Sequence, residues 1–260
     1  MIEWLESLHT LAAAAVTVGG FVAISLVFAY VVDRLSPREV RIEHNDLAGF
    51  ILAVIGVIYA VLLAFVTIGV WERFEQAEAR TYEEAAAIVQ VYRDAPTFAS
   101  GHEMRAALRD YVEQLLADEW PRMQRSEESP GVDKQVERVD AMVRALPVAS
   151  RSEQDVHDQM LATMSVALSD RDARLSEDAT GISGIMWVVL VMGALITIGF
   201  TSLFGFRRDV MQYVMIGSLA LLIGLVFYLA LALNYPYRGN IIVEPTAFRT
   251  ALHTFDVLGP

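Results

Sequence analysis

The chain has no cysteine. That excludes disulfides, thiol chemistry, iron–sulfur clusters and cysteine-type zinc sites, and leaves the redox compartment open. Charge is missing from four long stretches: residues 11–32, 47–70, 185–206 and 214–233 contain no Asp, Glu, Lys, Arg or His. Each is about as long as the roughly 20 apolar residues that cross a bilayer. The first ten residues, "MIEWLESLHT", hold no Lys or Arg. The first stretch therefore lacks the basic head of a signal peptide and reads as a retained anchor. Internal repeats and low-complexity tracts are also absent, and strand signals are confined to "NIIVE" near the end.

What is present is apolar and acidic. Hydrophobic residues make up 55 % of the 260 positions, and the formal net charge is −12. The first figure points to membrane spans. The second argues against nucleic acid as a partner, which needs clustered Lys and Arg. The spans form two hairpins, residues 1–70 and 184–234, around one polar insert, residues 71–183, with a tail at 235–260. The insert carries a net charge of about −10.

The insert reads as helices. Trp71, Phe74, Ala77, Ala85, Ile88, Val89 and Tyr92 recur at helical spacing, as do Met104, Leu108, Tyr111 and Leu115. Val132, Val136, Val139, Val143 and Leu146 alternate four and three apart, the spacing of a seam between packed helices. The Trp71–Tyr92 stripe and the Val132–Leu146 seam offer more apolar surface than one hairpin needs, which suggests assembly into an oligomer. Pro96, Pro121, Pro130 and Pro147 separate the runs. "SGHE" (Ser100, Glu103) and "SRSE" (Ser150, Glu153) fit capping boxes. The expected class is an all-α membrane protein with four transmembrane helices flanking a helical soluble domain.

From 46 to 94 the only breakers are Gly49, Gly56 and Gly69, which membrane helices tolerate. One helix could run from span to insert, roughly 70 Å at 1.5 Å per residue. Such a coupler suits channels, receptors and scaffolds better than enzymes. Gly56, Ala60 and Ala64, and likewise Ala15, Gly19 and Ala23, form small-residue ridges that let helices approach closely, within one subunit or between subunits. In the tail, Asn234, two tyrosines and Arg238 read as an interfacial signature. Pro245 could open a short helix with Phe248, Ala251, Leu252 and Phe255 along one face.

Catalytic and metal chemistry finds little support. His9, His44, His102, His157 and His253 show no ligand spacing, and His157, beside Asp155 and Asp158, reads as part of a solvated face. Phosphate loops, nucleophile elbows and metalloprotease motifs are absent. The reading is a non-enzyme without cofactor or metal. Glu75, Glu78, Glu83 and Glu84 read as a solvated helix face, or as an acidic ring that concentrates cations.

Five blocks, "GVIYAVLLAFVTIGVWERFEQAEA", "EEAAAIVQVYRDA", "LRDYVEQLLADEWPRM", "MWVVLVMGALITIGF" and "LNYPYRGNIIVEPTAF", appear in order. They resemble a bacterial family of bestrophin-like membrane proteins, over about residues 46–255. Bestrophins are pentameric ion channels with a narrow apolar neck on the second span. Their Leu-Gly-Phe neck step resembles Leu63, Ala64 and Phe65, and the aromatic-acid-Arg-aromatic run after it resembles Trp71, Glu72, Arg73 and Phe74. Four and eight residues before Phe65 stand Val61 and Val57, where bestrophins favour Phe and Ile. The resemblance thus implies a pore neck of Val57, Val61 and Phe65, with Trp71, Arg73 and Phe74 coupling membrane to stalk.

The expected function is an oligomeric ion channel in the bacterial inner membrane, by resemblance a homopentamer, with lipid and inorganic ions as its other partners. Glu72, Glu75 and Glu78 are expected to line a vestibule that weakly favours monovalent cations. The alternative is a membrane-anchored sensor or scaffold whose insert binds a partner without conduction. The arginines of the two short loops (34, 38, 41, 207 and 208) favour cytoplasmic loops, whereas the resemblance implies a cytoplasmic insert; the expectation follows the resemblance.

Overall fold

A computed structural model describes residues 10–35, 45–179, 181–205, 209–239 and 241–259. The loop arginines at 38, 41, 207 and 208, and the histidines at 9 and 44, lie outside them. The described elements are α1 (Thr10–Leu35), α2 (Asn45–Asp94), α3 (Gly101–Gln114), α4 (Trp120–Met123), α5 (Pro130–Arg144), α6 (Arg151–Ala179), α7 (Gly184–Ser202), α8 (Asp209–Ala232) and α9 (Thr246–Leu258). A 3-10 turn (Ala95–Thr97) follows α2, and a π turn (Leu115–Glu119) joins α3 to α4. Among the described residues no strand occurs. In place of a strand, the described part of "NIIVE", residues 241–244, holds Val243, whose N–H bonds back to Pro236 O at 2.7 Å.

Four helices, α1, α2, α7 and α8, are long and apolar enough to cross a membrane. Their ends differ slightly from the sequence reading: α7 stops at Ser202, and α8 already begins at Asp209. Beyond α7 the Gln212 amide reaches the last-turn carbonyl of Ser202 at 3.5 Å, which covers part of its exposed end. The chain divides into two compact units. One holds the described residues up to Glu72 and from Ile182 to Asn234; the other holds Arg73–Gly181 and the described residues from Tyr235 onward. Helix α2 is unbroken over 50 residues and contributes to both. Gly69 does not interrupt it, because i→i−4 bonding needs no side chain.

In the apolar unit, α1 and α8 approach most closely. A Cβ added at Gly224 would stand 3.1 Å from the Val18 Cα, and the Phe21 and Phe227 rings lie 4.8 Å apart. Helix α2 is fastened at two points. The Tyr59 hydroxyl donates to Leu190 O at 3.1 Å, and its ring fills the space over Gly193, where a Cβ would meet it at 2.4 Å. Asn45 exchanges two bonds with the Gly205 backbone, at 2.9 and 3.0 Å. Thr67, Thr197, Thr201 and Ser202 turn their hydroxyls onto carbonyls one turn back, which pairs these donors within their own helices.

In the other unit, one core gathers the α2 stripe, α3, the α5 seam, α6 and α9. Val132, Val136, Val139, Val143 and Leu146 are all buried there, as are Ala77, Ile88 and Tyr92. The apolar surface that suggested assembly is spent within the subunit and no longer argues for an oligomer. The tail belongs to the same core: Phe248, Ala251 and Phe255 are buried, and the Phe255 ring stacks on Tyr92 at 3.9 Å. Tyr237 is also fully buried rather than interfacial, donating to Ala77 O at 2.9 Å. Burial pushes its pKa up to about 12.

Several local readings are corrected. Ser150 does cap α6, accepting from Glu153 N at 3.2 Å, but Glu153 reaches past it to Ala149 N at 2.7 Å. Ser100 makes no side-chain cap, because its backbone, at φ −85° and ψ 9°, is not in the extended conformation of a capping residue. Pro121 does not separate two runs: the π turn just before it widens the helix and absorbs the hydrogen bond the ring removes. His157 is half-buried, with Nε2 2.9 Å from Val143 O.

Candidate functional site

Two arrangements stand out, one in each unit. The first is the outward face of α2. Tyr59, Leu63, Val66 and Val70 are buried, which commits one side of the helix to its own subunit. At 3.6 residues per turn, Val57, Val61 and Phe65 fall on the other side. They are 65 %, 50 % and 71 % exposed. Phe50, Val54 and Ile68 extend the same exposed stripe. Continuing the turn, Glu72 and Glu75 stay on it and Glu78 falls to one flank; all three are exposed. Trp71 is half-exposed, while Phe74 and Arg73 are partly buried, Phe74 against the core.

The small-residue ridges are not used inside the subunit. Ala15, Gly19 and Ala23 are exposed or open, and α1 packs instead through Ala13, Ser25 and Ala29. No atom approaches a Cβ built on Gly56. Gly56, Ala60 and Ala64 line an open apolar groove of about 490 Å³ between α2 and α8.

The second arrangement is a buried charge network. Glu84 on α2 and Arg174 on α6 are fully buried. Arg174 forks onto Glu84, Nε to Oε2 at 2.7 Å and Nη2 to Oε1 at 3.0 Å, and Nη2 also reaches Glu119 Oε1 at 2.7 Å. Tyr111 donates to Glu84 at 3.0 Å. The Trp120 and Phe248 rings flank the guanidinium at 5.4 and 5.7 Å. Arg171 binds the other Glu119 oxygen and reaches Asp133 at 2.6 Å. Burial alone would lower the Arg174 pKa, but Glu84 and Glu119 more than reverse it and raise it well above the usual value. Burial, then the Glu84 charge, pushes Tyr111 well up, so it stays a neutral donor.

The sequence reading missed this network and placed Glu84 on a solvated face. The signal was there. On α6, Met160, Met164, Ala167, Arg171 and Arg174 keep the four-three alternation, and on α2 so do Ala77, Thr81, Glu84, Ile88 and Val91. Charged residues occupy seam positions, and a search for apolar residues passes over them. Glu119 comes one turn after Leu115, turned inward by the π turn.

The bestrophin-like domain profile matches residues 19–248. The chain belongs to the bestrophin-like family. No curated protein sequence matches it significantly. Its fold is that of a bacterial bestrophin homologue from Klebsiella pneumoniae. One crystal structure of a point variant superposes with a TM-score of 0.66 at 11 % identity, covering 94 % of this chain and 99 % of that one. A second, phased on zinc, gives 0.63 at 10 % identity, covering 91 % and 96 %. A crystal structure described as a membrane protein gives 0.67 at 11 % identity, covering 94 % and 99 %. With four helices able to span a bilayer, this bestrophin-like chain is a multi-pass membrane protein.

Proposed function

We propose that the chain is a subunit of an oligomeric ion channel, a homopentamer in the bacterial inner membrane, with α2 lining the pore. The observation that carries this reading is the exposed face of α2. Val57, Val61 and Phe65 are large, apolar and unburied by their own subunit, on the helix whose opposite side buries Tyr59, Leu63, Val66 and Val70. A ring of such faces forms an apolar constriction, which gates ions by dewetting. Two valines where bestrophins favour Phe and Ile make this neck wider. The unused ridges of Ala15, Gly19 and Ala23, and of Gly56, Ala60 and Ala64, are suited to close contact between subunits.

Selectivity follows from what continues the neck. Glu72 and Glu75 extend its face and Glu78 stands beside it, so a five-fold ring repeats each carboxylate around the conduction path. Exposed charges act over about 8 Å at physiological salt, so these three matter and distant acids do not. Arg73 and Arg80 offset them in part. Monovalent cations are weakly favoured over chloride. Trp71, Arg73 and Phe74 couple the neck to the second unit, which lies in the cytoplasm.

The test is current through purified protein in lipid bilayers. Under a KCl gradient the reversal potential should lie on the potassium side, and Glu72→Gln, Glu75→Gln and Glu78→Gln together should move it toward zero. Val57→Ala with Val61→Ala should raise conductance. Chloride selectivity that ignores the triple change would remove the acids from the mechanism. A protein that reconstitutes but passes no ions would leave the anchored sensor as the better reading.

A further inference from the structure

A cavity of about 390 Å³ opens beside the buried charge network in the second unit. Its inner wall holds Glu119 and Arg171, both more than nine-tenths buried. Arg171 spends Nη2 on Glu119 and Asp133, but its Nε–H is buried with no hydrogen-bond partner. A buried donor left open is costly and calls for an acceptor. Arg238 forms another wall, its Nη1 on Ser126 Oγ and its guanidinium over the Tyr235 ring at 4.8 Å.

The rim carries the opposite demand. Glu127 is answered by Arg125 at 3.3 Å and, more loosely, by Arg122. Glu128 is exposed and makes no ion pair among the described residues. Asp133 is engaged through one oxygen only. Met123 and Leu175 supply an apolar patch. A bare anion satisfies Arg171 but meets Glu128 and Asp133 unfavourably. A bare cation satisfies those carboxylates but leaves the Arg171 Nε–H open. A molecule bearing both groups answers both demands.

We propose that this cavity binds a small zwitterion of the amino-acid class, its carboxylate on Arg171 and Arg238 and its ammonium on Glu128 and Asp133, with the side chain against Met123 and Leu175. The site stands independently of ion conduction, because it rests on the soluble unit alone.

Calorimetric titration of the full chain in detergent tests it, with glycine, L-alanine and L-glutamine as probes and propionate and propylamine as the two half-molecules. At least one amino acid should bind, with each half-molecule weaker by roughly tenfold or more. Glu128→Gln with Asp133→Asn should weaken the amino acid about tenfold while leaving the elution profile and helix content of the wild type. Because these side chains lie at the rim, the variant separates lost binding from lost folding; Arg171→Lys, which keeps the charge but removes the Nε–H, provides the inner-wall control. Propionate or propylamine binding as tightly as the amino acid overturns the proposal, as does no binding by any probe up to about 10 mM. Amino-acid binding unaltered in both variants overturns it as well.

Discussion

Replacing Arg174 by Met removes the charge and keeps much of the side-chain volume. Wild-type Arg174 makes three charge-assisted bonds, at 2.7, 3.0 and 2.7 Å, to two carboxylates that are themselves buried. After the change Glu119 still has Arg171, but Glu84 keeps only the Tyr111 hydroxyl. Taking one partner from a buried pair costs about 3–5 kcal/mol, because the other charge stays desolvated and uncompensated. At roughly 2–4 °C per kcal/mol for a chain of this size, Arg174→Met should lower the melting temperature by roughly 6–20 °C. The assay is thermal unfolding in detergent, followed by circular dichroism and tryptophan fluorescence. The discriminating variant is Arg174→Met with Glu84→Gln. If the cost is the orphaned charge, neutralising Glu84 should restore about half of the loss. A single variant melting within about 2 °C of wild type, or a double variant worse than the single, would refute the account.

Other outcomes follow from features already described. Gly193→Ala puts a methyl into the Tyr59 ring and should destabilise the α2–α7 contact by about 1–3 kcal/mol; Tyr59→Phe, which loses only the bond to Leu190, should cost about 1 kcal/mol, both read as melting shifts in detergent. Asp170 is buried with Oδ2 unpartnered; burial, then the Glu83 charge, raises its pKa against the pull of Arg80. A raised folded-state pKa favours folding below the usual carboxylate range, and the benefit is lost as pH climbs from that range through the raised value. Asp170→Asn should therefore raise the melting temperature near neutral pH and leave it unchanged in acid, and an equal shift at both would count against this. Glu137→Cys places a single thiol on the exposed side of α5 in a chain that has none. A membrane-impermeant maleimide should label it only after permeabilisation of spheroplasts; labelling of intact spheroplasts would put the second unit outside the cytoplasm.

The spans were legible because about twenty uncharged residues have few other uses in a folded chain. The α5 seam was legible because valine at four-three spacing has one packing solution. The 50-residue helix was legible from the lack of proline. Less visible was anything that depended on a partner. The Ser100 box failed because Ser100 has φ −85° and ψ 9°, not the extended backbone that turns a capping hydroxyl onto the first-turn N–H groups. The ridge at Ala15, Gly19 and Ala23 matched a packing pattern, yet α1 buries a different face. Glu84, Glu119, Arg171 and Arg174 sit at core positions that only their mutual neutralisation permits, and no one-residue property announces that. The exposure of Val57, Val61 and Phe65 could not be read at all, since periodicity finds a face without saying which way it turns.

The alternation of apolar and charged residues along α6 also bears on how that helix finds its place. A seam of uniform Met and Ala would tolerate sliding, since a shift of seven residues brings one small apolar side chain where another had been. With Arg174 at the seam, the same shift sets Ala167 against Glu84 and strands a carboxylate in the core. The charged rung therefore sets the register of α6 on α2, because a shifted alignment leaves a buried carboxylate without its partner.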